Sequence, residues 1–468
     1  MTTSFAKDFH LLPTELGPVV FHAGSYRLFQ VDEAKAATLE ALEAGRPVAA
    51  DAVEDLRAAL KLALGDQDGF QLKSSILGNN EDLSVFYFFV SQDCNLGCLY
   101  CYGDGGDYGK GRMLMADVTA QAFLDRFVTT PGKRYMINLF GGEPLMNMPM
   151  LKRFIAEVEQ RARQLGSHID VNVTTNGTLW NDDIRDFLRD HVTNVTVSLD
   201  GPPEIHDAQR PARGSFSPYE RAMRTLEGLR EIKPANTVIR TIVTHDSCRQ
   251  VGDIYRHNAK LAPGGVGLTM VDVDPANPLA LTDQDHQDML DQMVETNRAS
   301  LLSFAQDDDP QFFEYTFDLF EMVFFRRYRQ NPCNAGRAVA AVAADGDIYP
   351  CHRFVGKDGF RMGNVTQDPP LDENHARIAA TFREAGVDAN PQCSQCWARY
   401  LCGGCCYVIA LLRTGDIASP PAYYCRLKRT IYHELLATFA TIMADEDKAK
   451  RLIGNVTRLL AGRAGVTC

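Results

Sequence analysis

Residues 94–102 read Cys94-Asn95-Leu96-Gly97-Cys98-Leu99-Tyr100-Cys101-Tyr102, three cysteines spaced C-x3-C-x2-C directly after the apolar run 85–90. Clusters of the [4Fe–4S] type are held by cysteine thiolates, ordinarily four. Three on one short loop leave an iron open to another ligand, which points to chemistry at the cluster. Zinc would want a fourth Cys or His nearby, and the next stretch, 103–111, supplies glycines, Asp, Tyr and Lys instead.

Outward from this loop, strand-like and helix-like stretches alternate. Strands are predicted at 84–91, 135–140, 169–174, 192–199, 237–244 and 266–271, with amphipathic helices between them, among them 150–165 and 217–231. Six such units predict an α/β fold, a partial (β/α)6 TIM-like barrel, in which reactive residues sit on loops at the C-terminal strand ends. The cysteine loop follows the first strand, Gly141-Gly142-Glu143-Pro144 the second, Thr175-Asn176-Gly177 the third and Asp200-Gly201-Pro202 the fourth. Four motifs thus converge on one mouth.

The barrel is expected over 81–280. Before it, residues 1–80 carry an extended stretch at 19–29, a helix from Asp32 and a second helix at 52–64. This small α+β unit reads either as a cap on the next domain or as a winged-helix-like module that takes up a peptide as an extra strand. Residues 281–331 form a helical linker in which Phe312, Phe313, Phe317, Phe320, Phe324 and Phe325, near helical spacing, read as core. After Pro332 the texture turns to Cys, Gly, Pro and short turns over 332–430, and 431–468 reads as closing helices.

The chain has 468 residues and a formal net charge of -12, which gives no basic footprint for nucleic acid. No apolar run approaches twenty residues and no leader pattern opens the chain, so neither a membrane span nor a signal peptide is expected, and the location is read as cytoplasmic. Thirteen cysteines, clustered in such a chain, read as metal ligands rather than disulfides.

Cys94, Cys98 and Cys101, with Tyr100 before the third, resemble the signature of radical S-adenosylmethionine enzymes. The resemblance implies a cluster whose open iron is chelated by S-adenosylmethionine, and reductive cleavage of that cofactor to a 5′-deoxyadenosyl radical that abstracts a substrate hydrogen. Gly141, Gly142, Glu143 and Pro144 then look like the motif that binds the methionine amine. Thr174, Thr175 and Asn176 resemble nucleoside-side contacts, and Ser198, Asp200, Arg210 and Arg213 the ribose and carboxylate contacts. His206, Asp207 and Arg240 are second-layer or substrate residues, or structural pairs and caps.

A second cysteine pattern follows: Cys333, then Gly346-x4-Cys351, then Cys393-x2-Cys396-x5-Cys402-x3-Cys406, and Cys425. A zinc ribbon would also use Cys393-x2-Cys396, but seven ordered cysteines exceed one tetrahedral site. The order resembles the SPASM extension of radical enzymes that modify peptides. The resemblance implies one auxiliary [4Fe–4S] cluster on Cys393, Cys396, Cys402 and Cys425 and another on Cys333, Cys351 and Cys406, three clusters in all. Relatives with a fully ligated second cluster carry a cysteine where this chain has Val339, so an open iron is expected there unless Cys405 or a substrate thiol fills it.

His352 stands where sulfatase-maturing relatives have aspartate. The run Tyr349-Pro350-Cys351-His352-Arg353-Phe354-Val355-Gly356 looks like maturases that form thioethers, among them the maturation enzymes of quinohemoprotein amine dehydrogenase. That family joins cysteine sulfur to side-chain carbons of Asp and Glu in a small subunit. The implied partners are a Cys-containing peptide or small protein subunit and a reductant such as flavodoxin or ferredoxin. The rival products are a carbon–carbon crosslink or an oxidised side chain, and the non-enzyme rival is an electron-transfer or scaffold protein. Asp200, His206, Asp207 and His352 are candidate catalytic bases, and Cys248 and Cys468 read as free thiols.

Overall fold

The chain enters a sheet as soon as residue 9, where Phe9–Thr14 (β1), Gly17–His22 (β2) and Arg27–Gln30 (β3) pair antiparallel in that order. The single extended stretch expected at 19–29 is broken: small residues after His22 allow a turn in which Tyr26 takes φ 57° and donates its N–H to His22 O at 2.9 Å. Two helices follow, Glu33–Glu43 (α1), capped by Asp32 on the Lys35 N–H, and Ala50–Leu64 (α2). Leu39, Leu42, Val53, Leu56, Leu60 and Leu64 recur at helical spacing and bury against Phe9 and Val20. Each such side chain contributes about 1.5–3 kcal/mol.

This computed structural model describes residues 6–65, 73–74, 82–262, 264–308, 310 and 313–462. It divides into two units, one of Met1–Asn79, Leu290–Cys333 and Glu384–Cys468, the other of Asn80–Met289 and Asn334–Arg383. Cys468 and Phe312 lie outside the described residues. No described helix is long and apolar enough to cross a membrane.

The second unit is a mixed α/β layer around a parallel sheet. Its strands are Val85–Gln92 (β4), Arg134–Gly141 (β5), His168–Thr175 (β6), Asn194–Ser198 (β7), Thr237–Val243 (β8) and Val266–Met270 (β9), each within about two residues of expectation. Between them run Asp117–Phe127 (α3), Met148–Leu165 (α4), Asp182–His191 (α5), Pro203–Gln209 (α6), Pro218–Ile232 (α7) and Val251–Ala259 (α8). On α4 the residues Met150, Leu151, Phe154, Ile155 and Val158 are buried, a helical stripe facing the sheet. Asn181 and Ser217 accept the Ile184 and Glu220 N–H groups and start α5 and α7, caps worth ~1 kcal/mol each.

Alternate strand residues divide the sheet into two faces. Phe86 and Phe88 pack on Phe123 and Phe154 of the helical layer, and their register partners Ile137 and Leu139 are fully buried. The opposite face holds a file of amides: Asn236 Nδ2 donates to Asn194 Oδ1 (3.0 Å), Asn194 to Asn172 (2.9 Å), Asn172 to Asn138 (3.1 Å), and Asn138 to Phe86 O (3.3 Å).

The sheet does not stop at six strands. Val339–Val342 (β10) adds parallel to β4, and Asp347–Tyr349 (β11) and Gly363–Asn364 (β12) continue it antiparallel. These residues carry the Cys, Gly and Pro texture of the third region, yet in space they extend the barrel sheet. In the first unit, the chain resumes with Asp283–Gln306 (α9), whose first turns belong to the sheet unit, and Glu314–Phe325 (α10). Phe313 and Phe320 are core as expected, whereas Phe325 is exposed. After Glu373–Glu384 (α11), which crosses between the units, come Tyr407–Thr414 (α12), Ala422–Met443 (α13) and Glu446–Gly462 (α14).

Candidate active site

The cysteine loop leaves β4 and lies along residues 209–213: Gly97 N–H donates to Pro211 O (2.8 Å), Leu99 N–H to Gln209 O (3.0 Å) and Arg213 N–H to Asn95 O (3.0 Å). Cys94, Cys98 and Cys101 are half-buried and in no disulfide. Burial, with Glu143 nearby, pushes the Cys94 thiol up to about 12, and burial pushes Cys98 up to about 11. Thiols in such surroundings ionise when a cation binds them.

Gly141 and Gly142 bring β5 into contact with this loop. A Cβ on Gly141, which has φ 131°, would stand 2.0 Å from Ser91 O, and one on Gly142 2.1 Å from Asp93 O and 3.1 Å from Cys94 Cβ. No other residue type permits the bonds Gly142 N–H to Ser91 O and Glu143 N–H to Asp93 O, both 2.8 Å. Tyr108, at φ 55°, donates its hydroxyl to Gly141 O at 2.9 Å.

Glu143 is fully buried. Its Oε1 accepts from Leu145 N–H (3.1 Å) and Thr175 Oγ1 (2.9 Å), and its Oε2 from Asn176 N–H (2.7 Å). Burial nonetheless pushes the carboxyl up to about 7. A buried carboxylate in that state is stabilised by an adjacent cation, as an ammonium group would be. Asn176 in turn donates to Cys94 Sγ (3.6 Å) and Asn95 Oδ1 (2.9 Å), while Asn95 donates to Thr178 Oγ1 (2.7 Å). Asn95 and Thr178 were not singled out from sequence, although Asn95 lies inside the cysteine loop. Thr174, next to last in β6, and Ser198, last in β7, are half-buried on the face opposite Val173 and Val197.

Asp200 is committed to its neighbours. Arg210 grips it in a fork (2.9 and 3.0 Å), Ile242 N–H donates to it (3.0 Å) and the Tyr100 hydroxyl donates to it as well. Asp200 and Arg210 are both buried, and although burial opposes it, the Arg210 charge leads the influences that hold the Asp200 carboxyl below its usual range. The Arg210 guanidinium also lies 5.3 Å from the Tyr100 ring centre. His206 Nδ1 accepts the Asp200 N–H (3.1 Å), and burial brings this imidazole down to about 4. Asp207 accepts Ser217 Oγ (2.6 Å) and Tyr219 N–H (2.7 Å), closing the start of α7. Arg213 donates to Cys94 O at 3.4 Å.

His352 lies between the Tyr87 and Phe140 rings, at 4.3 and 4.9 Å, and burial, with Arg353 and Arg240, lowers it to about 3. Arg353 pairs with Asp272. Cys248 is buried and donates to His245 O at 3.2 Å.

In the first unit Cys393, Cys396, Cys402 and Cys425 come together. Burial, then the Cys402, Cys425 and Cys396 sulfurs, pushes Cys393 up to about 12, and burial followed by Cys402 and Cys396 raises Cys425 to about 11. Cys405 is buried in a small apolar cluster with Ile409 and Ala410. Cys333 and Cys406 belong to this unit and Cys351 to the sheet unit. Among the described residues no group of three or more His, Cys, Asp or Glu side chains is placed to hold a single metal ion.

The radical SAM superfamily profile matches residues 88–256, and that of the SPASM iron–sulfur cluster-binding domain matches residues 333–397. The chain carries a radical SAM domain followed by a SPASM domain. These domains imply S-adenosylmethionine and iron–sulfur clusters, and the free, half-buried cysteines of the 94–101 loop and the buried Glu143 carboxyl fit them. The cysteine-type anaerobic sulfatase-maturating enzyme of Clostridium perfringens (strain 13 / Type A) is 23% identical over 359 residues, covering 69% of this chain and 88% of that protein. The mycofactocin maturase MftC of Mycobacterium ulcerans (strain Agy99) is 27% identical over 326 residues, covering 67% and 80%. Among solved structures, native anSMEcpe with bound AdoMet and Kp18Cys peptide has a TM-score of 0.63 at 21% identity, covering 80% of this chain and 99% of that one. That likeness is one of fold.

Proposed function

We propose that this radical SAM/SPASM enzyme installs thioether crosslinks in a Cys-containing peptide or small protein subunit, joining cysteine sulfur to a side-chain carbon of residues such as Asp or Glu. The observation that carries the radical part is the contact of the Gly141-Gly142-Glu143 turn with the Cys94 loop, which sets a buried carboxylate near the Cys94 thiol. Cys94, Cys98 and Cys101 hold the first cluster, and Glu143 receives the cofactor ammonium. The bound cofactor supplies a carbon-centred radical that abstracts hydrogen. Thr174, Thr175, Asn176, Ser198 and Arg213 line its place, while Asp200, Arg210 and Tyr100 brace the loop from behind. Asp207 acts as a cap on α7.

Support for the thioether product comes from Val339 and His352. Val339, at the position where relatives with a fully ligated second auxiliary cluster carry a cysteine, is taken up in β10 opposite Val85. An open iron there would bind and deprotonate a substrate thiol. His352, neutral between two aromatic rings, replaces an acidic side chain. In the N-terminal unit, β3 pairs only with β2 among the described residues, so its outer edge is available to a peptide strand. The narrower reading is a maturase of a quinohemoprotein amine dehydrogenase subunit, working in the cytoplasm with a flavodoxin or ferredoxin.

The matches to sulfatase-maturating enzymes favour a second reading, oxidation of a side chain. Mass spectrometry of the peptide encoded beside this enzyme separates the two after anaerobic reconstitution and reduction. A thioether removes two hydrogens and one titratable thiol and yields a linked fragment pair. An oxidised side chain gives no linked pair. Cys98→Ala abolishes cofactor cleavage, and Cys351→Ala spares much of it but loses the crosslink. Equal loss of cleavage in both variants would overturn this division, and a parent enzyme that cleaves no cofactor would leave only an electron carrier.

A further inference from the structure

Lys428 stands three residues after Cys425 on α13, so the two share one helix face with Cβ atoms about 5–6 Å apart. Its side chain is 8% exposed. The ammonium lies 4.2 Å from the Tyr315 ring centre, 5.7 Å from Tyr424 and 5.8 Å from Tyr432. The nearby carboxylate of Asp318 is taken by Arg329, which forks onto it at 2.8 and 3.0 Å. Lys428 itself makes no ion pair among the described residues. Tyr432 ties this stretch of α13 to the cysteine loop, its hydroxyl donating to Leu401 O at 3.2 Å.

Burying an ammonium without a counter-ion is costly, and aromatic faces return only part of the loss. The arrangement makes sense when the four thiolates carry the compensating charge. We propose that Lys428, held in its tyrosine cage, is the charge that sets the reduction potential of the cluster on Cys393, Cys396, Cys402 and Cys425. This rests on the cluster assignment above. One electron from dithionite adds one negative charge to the cluster and breaks no bond, and a fixed cation nearby stabilises that reduced state over the oxidised one. Because Lys428 is buried, solvent screens the interaction less than it would at the surface.

The test is an EPR-monitored dithionite titration of the reconstituted full chain carrying Cys94→Ala, Cys98→Ala and Cys101→Ala, which removes the first cluster. The relevant signal is the one lost on adding Cys425→Ala. Lys428→Met makes that cluster at least tenfold harder to reduce, ~59 mV for a one-electron couple, whereas Lys428→Arg leaves the midpoint near the parent's. Asp318→Asn, which frees Arg329, shifts it the opposite way. An unchanged midpoint in Lys428→Met with full iron content overturns the proposal. Should Lys428→Met fail to hold iron, a midpoint in Asp318→Asn that does not rise overturns it instead. Iron content showing no auxiliary cluster in the parent would refute the assignment itself.

Discussion

Gly142→Ala tests the contact on which the site depends. The added methyl would stand 2.1 Å from Asp93 O, 2.5 Å from Asp93 C and 3.1 Å from Cys94 Cβ. Carbon contacts settle near about 3.5 Å, so the Asp93–Cys94 backbone must retreat by roughly 1 Å. That movement breaks the Glu143 N–H bond to Asp93 O and strains the Gly142 N–H bond to Ser91 O. Two bonds at about 1 kcal/mol each and an overpacking cost of about 1–3 kcal/mol give a loss of about 3–5 kcal/mol. The displaced Cys94 no longer matches Cys98 and Cys101. Guanidinium unfolding and iron content after anaerobic reconstitution measure both effects. Gly454→Ala is the control: nothing lies within 4 Å of its Cβ position in α14, and the variant should gain about 0.5–1 kcal/mol. A Gly142→Ala chain that unfolds like its parent and binds as much iron would refute the reasoning.

Three further outcomes follow from the site. In the metal-free chain the folded state holds the Glu143 proton up to about 7, against an ordinary 4.5, so folded protein binds more protons than unfolded in that window and stability falls as pH rises through it. Glu143→Gln removes this component, so the parent-minus-variant difference in unfolding free energy must decline from pH 4.5 to 7; a flat difference contradicts the burial argument. Asp200→Asn leaves Arg210 buried without its partner and should cost about 3–5 kcal/mol in urea unfolding, partly recovered by adding Arg210→Met; a loss below about 1 kcal/mol would mean the pair is not structural. Tyr108→Phe loses the hydroxyl bond to Gly141 O and the one shared with Tyr102, about 1 kcal/mol each, and should keep full iron content.

The six barrel strands were legible because each is a run of β-branched and aromatic residues closed by glycine or polar motifs, and the loops that carry those motifs meet in space. The three-strand extension was not legible. Val339–Val342 is short and alanine-rich, and its pairing with β4 joins residues some 250 positions apart, which no local pattern encodes. Partners on other elements also hid the roles of Asp200 and His206. A carboxylate after a strand reads as a base until Arg210 folds back over α6 and Tyr100 reaches it from the cysteine loop. Glu143 was legible in kind but not in detail: sequence offered it to a cofactor, and the fold adds three internal donors.

The file of amides through Asn138, Asn172, Asn194 and Asn236 works as a keyway. Slipping any one strand by a residue would turn its asparagine to the helical face and strand its neighbours' amides. Gly141, Asn176 and Ser198 lie three or four residues above the file, about 10–13 Å at the usual rise. Their heights are thereby indexed to a common datum at the base of the sheet. A change in the length of a loop above would thus leave the level of the mouth unaltered.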